Sequence, residues 1–185
     1  MINEIKQDAQ ARMAKSIDSL RHNLVKIRTG RASTGLVDTI KVNAYGSEVP
    51  LSQVAAVSVS DARSLVINPW DKGMVGAVEK AILASDLGLT PSNDGKVIRL
   101  NLPPLTEERR RDLVKMVNNR LEDARVAIRN IRRDSNKDLR DFEKEKMISE
   151  DELKLGETRL QELTDEMIDQ VAVIGKRKEE EIMEF

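Results

Sequence analysis

The chain has 185 residues and a formal net charge of −1, with 34% charged and only 2% aromatic residues. A nearly neutral chain is not a general polyanion binder, so any affinity for nucleic acid must come from a local patch. The lack of cysteine excludes disulfides, thiolate nucleophiles and zinc–thiolate sites. No apolar run approaches the ~18–20 residues of a membrane span. The N-terminus also lacks the apolar core of a secretion signal, and we therefore expect a cytoplasmic protein.

The first predicted element is an amphipathic helix over residues 2–28. Its apolar residues recur at intervals of three and four, which is the spacing of one helix face: Ile2, Ile5, Ala9, Met13, Ile17, Leu20, Leu24 and Ile27. Thr29-Gly30 then carries a helix-ending signal. The neighbouring segments offer nothing to cover this apolar face, so the helix must pack against elements elsewhere in the chain.

The middle of the chain changes to the shorter patterns of a small α+β module. Apolar alternation and β-branched runs predict strands, and helical spacing predicts one helix. The predicted strands cover residues 36–45, 54–59, 64–68 and 97–102, and the predicted helix covers 75–83. Residues 91–95, which begin with proline and end with glycine, are predicted to be a loop.

Two further helices are predicted after Pro103-Pro104, which blocks continuation of either strand or helix. Thr106 is a good N-cap for a long helix that runs to about residue 146. Residues 149–152 form a capping box that opens the final helix. Gly175 lies inside that helix, where glycine costs ~1 kcal/mol relative to alanine, and the sequence offers no reason for it.

Three amphipathic helices can bury one another's apolar faces as an elongated antiparallel bundle. The fold class is therefore α+β, with a bundle formed by residues 1–29 and 106–185 and a small β/α/β domain inserted at residues 31–103. The chain crosses between the two parts near residues 29–33 and 102–106. The residues that we expect to act as a hinge there are Thr29, Gly30, Arg31, Leu102, Pro103, Pro104 and Leu105.

The long helix carries a sorted surface. On a helical projection centred on Ile128, an apolar stripe within roughly 60° should face the partner helices. Its other members are Leu113, Val117, Leu121, Ala124, Ile131, Ser135, Leu139 and Phe142. Beside it, at about +40° to +140°, lies a second arc of basic residues. This arginine arc consists of Arg125, Arg129, Arg132, Arg133 and Arg140.

The arginine arc predicts contact with an anionic partner. The acids Asp134, Asp138 and Asp141 fall on the opposite flank, so the arginines should repel one another without an intervening acid. A guanidinium group binds phosphate through two hydrogen bonds and stacks on bases, which favours nucleic acid. The alternative is an ordinary solvated helix face, since runs of charge are typical of such surfaces.

The sequence gives no positive support for catalysis. The single histidine, His22, lies on the polar side of the first helix without partner groups. Glycine-rich phosphate loops and calcium-ligand spacing are also missing. We therefore expect a protein that is not an enzyme and that uses no cofactor and no metal.

Four separate segments resemble the bacterial ribosome recycling factor family, in order and at fitting spacing. They are Ile27-Arg28-Thr29-Gly30-Arg31-Ala32-Ser33; Glu79-Lys80-Ala81-Ile82 with Ser85-Asp86-Leu87-Gly88-Leu89; Leu102-Pro103-Pro104-Leu105-Thr106-Glu107-Glu108-Arg109-Arg110; and Arg125-Val126-Ala127 with Arg129-Asn130-Ile131-Arg132-Arg133-Asp134. The resemblance implies an L-shaped molecule in which a flexible hinge joins a three-helix bundle to a β/α/β domain.

The resemblance also implies an activity. After termination, a protein of this family binds the ribosome and, with elongation factor G and GTP, separates the subunits so that mRNA and tRNA are released. It implies that the bundle contacts large-subunit ribosomal RNA, first through Arg129 and Arg132, with Arg125, Arg133 and Arg28 as further candidates. We expect a monomer away from the ribosome. Two other classes stay open: a cytoplasmic helical adaptor or chaperone-like protein, and a hydrolase that acts through paired acids.

Overall fold

The computed structural model describes residues 1–27 and 29–184, which form two compact units. Unit 1 comprises Met1–Thr29 and Glu107–Glu184, and unit 2 comprises Gly30–Thr106. In chain order the elements are α1 (Ile2–Val25), β1 (Lys41–Ala44), β2 (Ser47–Pro50), the single turn α2 (Leu51–Val54), β3 (Ala55–Asp61), β4 (Ser64–Pro69), α3 (Val75–Leu83), β5 (Pro91–Asn93), β6 (Ile98–Asn101), α4 (Glu107–Lys144) and α5 (Glu150–Met183).

Unit 1 is a bundle of α1, α4 and α5, and each of these helices packs on the other two. Helix α5 runs antiparallel to α4, because the Arg110 guanidinium near the start of α4 donates a 2.7 Å hydrogen bond to the Met183 carbonyl at the end of α5. Helix α1 runs parallel to α5, because Arg159 donates a 3.0 Å hydrogen bond to Asn3. The α+β class and the three-helix bundle predicted from the sequence are confirmed.

The buried face of α4 is the predicted apolar stripe. Its buried residues are Leu113, Val117, Leu121, Ala124, Ile128, Ile131, Ser135 and Leu139. They meet the apolar faces of α1 and α5, which include Met13 and Ile17 on α1 and Leu160 and Val171 on α5. This burial sets the rotation of α4, and thereby decides which of its flanks lies beside each neighbouring helix.

The start of α5 is set by a reciprocal cap. The Ser149 hydroxyl accepts a 3.2 Å hydrogen bond from the Glu152 amide, and the Glu152 carboxylate accepts one of 2.8 Å from the Ser149 amide. The two bonds satisfy helix N–H groups that have no partner within the helix. The hydrogen bond from the Ser149 amide, followed by the interaction with the Ser149 hydroxyl, also holds the pKa of the Glu152 carboxyl below its usual value. The capping box predicted at residues 149–152 is confirmed.

Unit 2 contains two antiparallel sheets. One pairs β1 with β2, and the other has the strand order β3-β4-β6-β5. Helix α3 packs against β1 and β5, and its buried residues Val75, Val78 and Ile82 join the core of the unit. The predicted helix 75–83 is confirmed, and the predicted strands at 54–59, 64–68 and 97–102 match β3, β4 and β6 within a few residues.

Some predictions for the smaller elements were wrong. The strand predicted from residue 36 begins only at Lys41, because Thr34–Leu36 forms a 3-10 turn. The loop predicted at residues 91–95 starts as β5, which pairs with β6 through Pro91↔Leu100. Proline is tolerated there because β5 is an edge strand. Strand β2 was not predicted, since it has little apolar alternation and depends on pairing with β1.

The structure explains Gly175. It is buried on α5, and a Cβ atom at this position would collide with Leu121 Cδ1 and lie 3.2 Å from Leu121 Cγ. Leu121 is itself buried in the bundle core, so its side chain has little room to move aside. The glycine therefore permits a close approach of α5 to α4, and this offsets its poor helix propensity.

We predict that Gly175→Ala destabilises unit 1 by about 1–2 kcal/mol, because a clash this close with a buried side chain costs ~2–3 kcal/mol, the upper part of the range for overpacking, and alanine returns only ~1 kcal/mol of helix propensity. Leu121→Ala removes the atoms that the new methyl group would meet. Gly175→Ala should therefore be neutral or stabilising when it is added to Leu121→Ala. Urea unfolding of the parent, the two single variants and the double variant measures this change of sign.

Gly76→Ala is the matched control for the glycine. Gly76 lies in α3, and a Cβ atom there would meet nothing within 4 Å. We expect this variant to be stabilised by roughly 0.4–1 kcal/mol. A Gly175→Ala protein as stable as its parent would contradict close helix packing as the reason for this glycine.

Candidate nucleic-acid interface

The arginine arc lies on the flank of α4 that borders α5. Two of its members reach across to that helix. Arg132 Nη1 donates a 2.6 Å hydrogen bond to Gln161 Oε1, and Arg140 Nε donates one of 2.9 Å to Glu157 Oε1. The α4–α5 packing therefore decides which partner groups the arc meets.

The arc is not free of acids, so the predicted absence of an intervening acid was wrong. Glu122 Oε1 accepts a 2.6 Å hydrogen bond from Arg129 Nη2, and Glu122 Oε2 lies 3.4 Å from Arg125 Nη1. Residue 122 falls at about +120° on the same projection, among the arginines. The hydrogen bond from Arg129, followed by that from Arg125, holds the pKa of the Glu122 carboxyl below its usual value. The Glu122 carboxylate therefore stays charged at neutral pH and offsets part of the positive charge.

Arg132 is held in a different way, by a neutral group. Gln161 accepts its hydrogen bond through Oε1, while the Gln161 amide nitrogen donates a 2.8 Å hydrogen bond to Asp165 Oδ1. The glutamine is thereby oriented from both ends. Arg132 gains a fixed direction and keeps its full charge, because an amide oxygen carries only a partial charge.

Of the two remaining candidates for RNA contact, the structure describes Arg133 but not Arg28. Arg133 is exposed and, within residues 1–27 and 29–184, has no hydrogen bond or ion pair. Arg28, also predicted as an RNA contact, lies outside the described residues. Sequence reasoning missed Glu122 and Gln161. The helical projection already contained the signal for Glu122, whereas Gln161 belongs to another helix and becomes visible only after packing.

The opposite flank of α4 pairs its charges. Asp134 lies 3.4 Å from Arg12 of α1, and Arg120 lies 3.5 Å from Asp123 on α4 itself. A groove of about 300 Å³ between α1 and α4 is lined by Lys15, Ser16, Ser19, Leu20, Asn23, Arg120, Asp123, Ala124 and Ala127. Its charges are mixed, so the arginine arc is the stronger candidate for an anionic ligand.

Other kinds of site find little support in the described part of the chain. Residues 1–27 and 29–184 contain no group of three or more His, Asp or Glu side chains placed to hold a metal ion. None of the helices in these residues is long and apolar enough to cross a membrane. His22 is exposed on α1, as its place on the polar side of the helix predicted.

The two chain crossings predicted near residues 29–33 and 102–106 are both hydrogen-bonded to the same turn of unit 2. The Ala32 amide donates a 2.8 Å hydrogen bond to the Ala62 carbonyl, and the Leu102 amide donates one of 2.7 Å to the Arg63 carbonyl. Residues 62–63 form the turn between β3 and β4. Both crossings are therefore anchored to the same hairpin turn, each by a main-chain hydrogen bond.

The crossings also pack on each other. Gly30 has a φ angle of +76°, and a Cβ atom there would lie 2.8 Å from Leu105 Cγ. Thr29 is buried, whereas Arg31, Pro103 and Pro104 are exposed. The main-chain anchors at Ala32 and Leu102 therefore lie close in sequence to this contact on both crossings.

Comparison with known proteins relates the whole chain to one family. A sequence model described as "Ribosome recycling factor" matches residues 20–183. A ribosome-recycling factor of Xanthomonas campestris pv. campestris (strain B100) is 61% identical over 183 residues, which cover 99% of both chains. A second, from Xanthomonas euvesicatoria pv. vesicatoria (strain 85-10), is 60% identical over the same share of each chain.

Solved structures agree with the sequence matches. The solution structure of a ribosome recycling factor superposes with a TM-score of 0.69 at 43% identity, covering 100% of this chain and 98% of the other. A second structure holds the T. thermophilus ribosome recycling factor and E. coli elongation factor G bound to the E. coli post-termination complex. Its matching chain has a TM-score of 0.61 at 46% identity, with 99% of both chains covered. Because sequence and fold match over nearly the whole chain, this protein belongs to the ribosome recycling factor family.

Proposed function

We propose that this protein recycles ribosomes after translation termination. It binds the post-termination complex and, with elongation factor G and GTP, separates the ribosome into subunits and releases mRNA and tRNA. The observation that carries this function is the 61% identity to a ribosome-recycling factor over 99% of both chains. A related protein, 46% identical, is also found with elongation factor G on a post-termination complex.

The protein is a translation factor and not an enzyme, as the family to which it belongs implies. GTP hydrolysis is catalysed by elongation factor G. The site of action is the cytoplasm, where ribosomes translate. Family membership favours this function over the helical adaptor and the hydrolase that the sequence alone left open.

The arginine arc is the part of the bundle that we propose as the contact with large-subunit ribosomal RNA. Arg132 keeps its full charge and is oriented by Gln161, and Arg133 is exposed. Oriented guanidinium groups suit phosphate oxygens, which accept paired hydrogen bonds. Such contacts are electrostatic and therefore depend on salt. Arg129 and Arg125 belong to the same surface, and Arg28 remains a candidate from the sequence.

We also propose that the two crossings form a hinge. Beyond the anchors at Ala32 and Leu102, the chain has few residues in which to bend. The Gly30–Leu105 contact couples the crossings, so a bend in one is transmitted to the other. Elongation factor G would act through this hinge while the bundle stays on ribosomal RNA.

A reconstituted splitting assay tests the function. Post-termination complexes are mixed with this protein, GTP and elongation factor G, and subunit separation is followed by light scattering. We expect splitting only when both proteins are present. Failure to split ribosomes with an elongation factor G from the same organism would contradict the proposal.

For the RNA interface we predict a graded effect at Arg132. Loss of a charge-assisted contact is worth roughly 1.5–3 kcal/mol, so Arg132→Ala should weaken binding to ribosomes about tenfold or more. Arg132→Lys keeps the charge but loses the planar fork, so it should bind between the parent and Arg132→Ala. Both variants should have a free energy of unfolding within ~0.5 kcal/mol of that of the parent. Co-sedimentation with ribosomes over a range of salt concentrations gives the affinities.

Arg120→Ala is the matched control, because Arg120 lies on the same helix but on the opposite flank, beside Asp123. It removes the same charge, and we expect affinity and salt dependence close to those of the parent. The proposed interface fails if Arg132→Ala binds ribosomes as the parent does, with an unchanged salt slope.

For the hinge we predict that replacing Pro103 and Pro104 with alanine slows splitting while ribosome binding stays near normal. Proline fixes φ and blocks helix formation, so its removal lets α4 extend backwards from Glu107 and stiffens the crossing. NMR chemical shifts report the helix extension, and the splitting assay reports the rate. Pro50→Ala, at the end of β2, is the control and should split at the parental rate. Parental splitting by the double variant, with helix extension observed, would remove the hinge from the mechanism.

A further inference from the structure

Glu122 holds two arginines of the proposed RNA interface at once. Its carboxylate lies 2.6 Å from Arg129 Nη2 and 3.4 Å from Arg125 Nη1. Residue 129 is two helical turns away from residue 122, so the Arg129 side chain extends back along α4 to reach the carboxylate. The Glu122 side chain is 55% exposed and that of Arg129 is 43% exposed, so solvent and a ligand both have access to the pair.

We propose that Glu122 is an internal competitor for the RNA phosphates that Arg129 and Arg125 bind. This inference rests on the proposed function, in which the arginine arc contacts ribosomal RNA. A carboxylate and a phosphate offer the same kind of anionic oxygen to a guanidinium group. In the free protein Glu122 takes the place of the phosphate, and RNA binding must break or share these bonds.

The physical basis is repulsion at short range. A phosphate that reaches Arg129 comes within a few ångströms of the Glu122 carboxylate, and two negative charges at that distance oppose each other. The pair is exposed, so solvent screens the effect and makes it modest. Glu122 therefore lowers the affinity of the surface without abolishing binding.

The rest of the arc shows why the effect belongs to one part of the surface. Arg132 is held by a neutral amide and keeps its charge, and Arg140 pairs with Glu157 of α5, whereas Arg129 and Arg125 share the carboxylate of Glu122 on α4 itself. The surface thus has one part whose charge is always available and one part whose charge must first be released. A factor that acts once on each ribosome and then leaves benefits from such a limit on affinity, because dissociation becomes faster.

Glu122→Gln tests the proposal, because glutamine keeps the shape and one carbonyl oxygen but removes the charge. We expect the variant to bind ribosomes ~two- to fivefold more tightly than the parent, the range that exposed ion pairs allow. Its log affinity should also fall more steeply with log salt, because Arg129 becomes free to displace counterions from a phosphate. Thermal melting should be close to that of the parent.

Asp123→Asn is the matched control. Asp123 is the next residue on the same helix, carries the same charge and pairs with Arg120 on the opposite flank. The Asp123→Asn substitution changes the net charge of the protein by the same amount as Glu122→Gln does. Equal gains in affinity from both variants would show a general charge effect and would overturn competition at Arg129.

A double-mutant cycle with Arg129→Ala completes the test. Competition predicts that Arg129→Ala weakens binding and that Glu122→Gln gains less affinity in this background than in the parent. If Arg129→Ala weakens binding while Glu122→Gln does not strengthen it, Glu122 is not a competitor and the RNA interface still stands. If Arg132→Ala weakens binding and Arg129→Ala does not, the proposal that Glu122 competes with RNA for Arg129 is again overturned. Parental binding by both arginine variants would overturn the interface and the inference together.

Discussion

The burial of one face of α4 between α1 and α5 is the constraint on which the rest of unit 1 depends. The apolar stripe that includes Leu121, Ile128 and Leu139 fixes the rotation of α4, because turning the helix would expose these side chains to water. Once the stripe is buried, the acidic flank faces α1, where Asp134 meets Arg12, and the arginine arc borders α5. The position of every charged group on α4 is thus a consequence of apolar packing.

The arginines of the arc differ in the charge of the groups to which they are hydrogen-bonded. Gln161 orients Arg132 without neutralising it, whereas the carboxylate of Glu122 binds Arg129 and Arg125. The electrostatic difference is local, since exposed charges are screened over about one Debye length. If the arc contacts ribosomal RNA as proposed, its affinity can be tuned at this scale while the fold stays the same. Exposed charges on α4 can therefore change without changing how its apolar stripe packs.

Unit 2 meets a different requirement, which is to hold two chain crossings together. Main-chain hydrogen bonds from Ala32 and Leu102 go to neighbouring residues of one hairpin turn, and Gly30 packs on Leu105. A side chain at residue 30 would collide with Leu105, and the positive φ angle independently favours glycine. Local hydrogen bonding in the sheet therefore limits where the chain can bend, and this limit supports the proposed hinge.

The sequence by itself determined the α+β class, the long helices, the capping box at Ser149 and the arc of arginines, because these follow from periodicity and from short-range hydrogen bonds. It also resembled the ribosome recycling factor family closely enough to predict the function. Tertiary structure alone decided that β2 and β5 exist, since each is an edge strand stabilised by pairing with a partner. It also decided that Gly175 faces Leu121 and that Arg132 meets Gln161, which is 29 residues away. Such contacts depend on how helices pack, and a helical periodicity specifies which face is buried but not which residue of another helix lies against it.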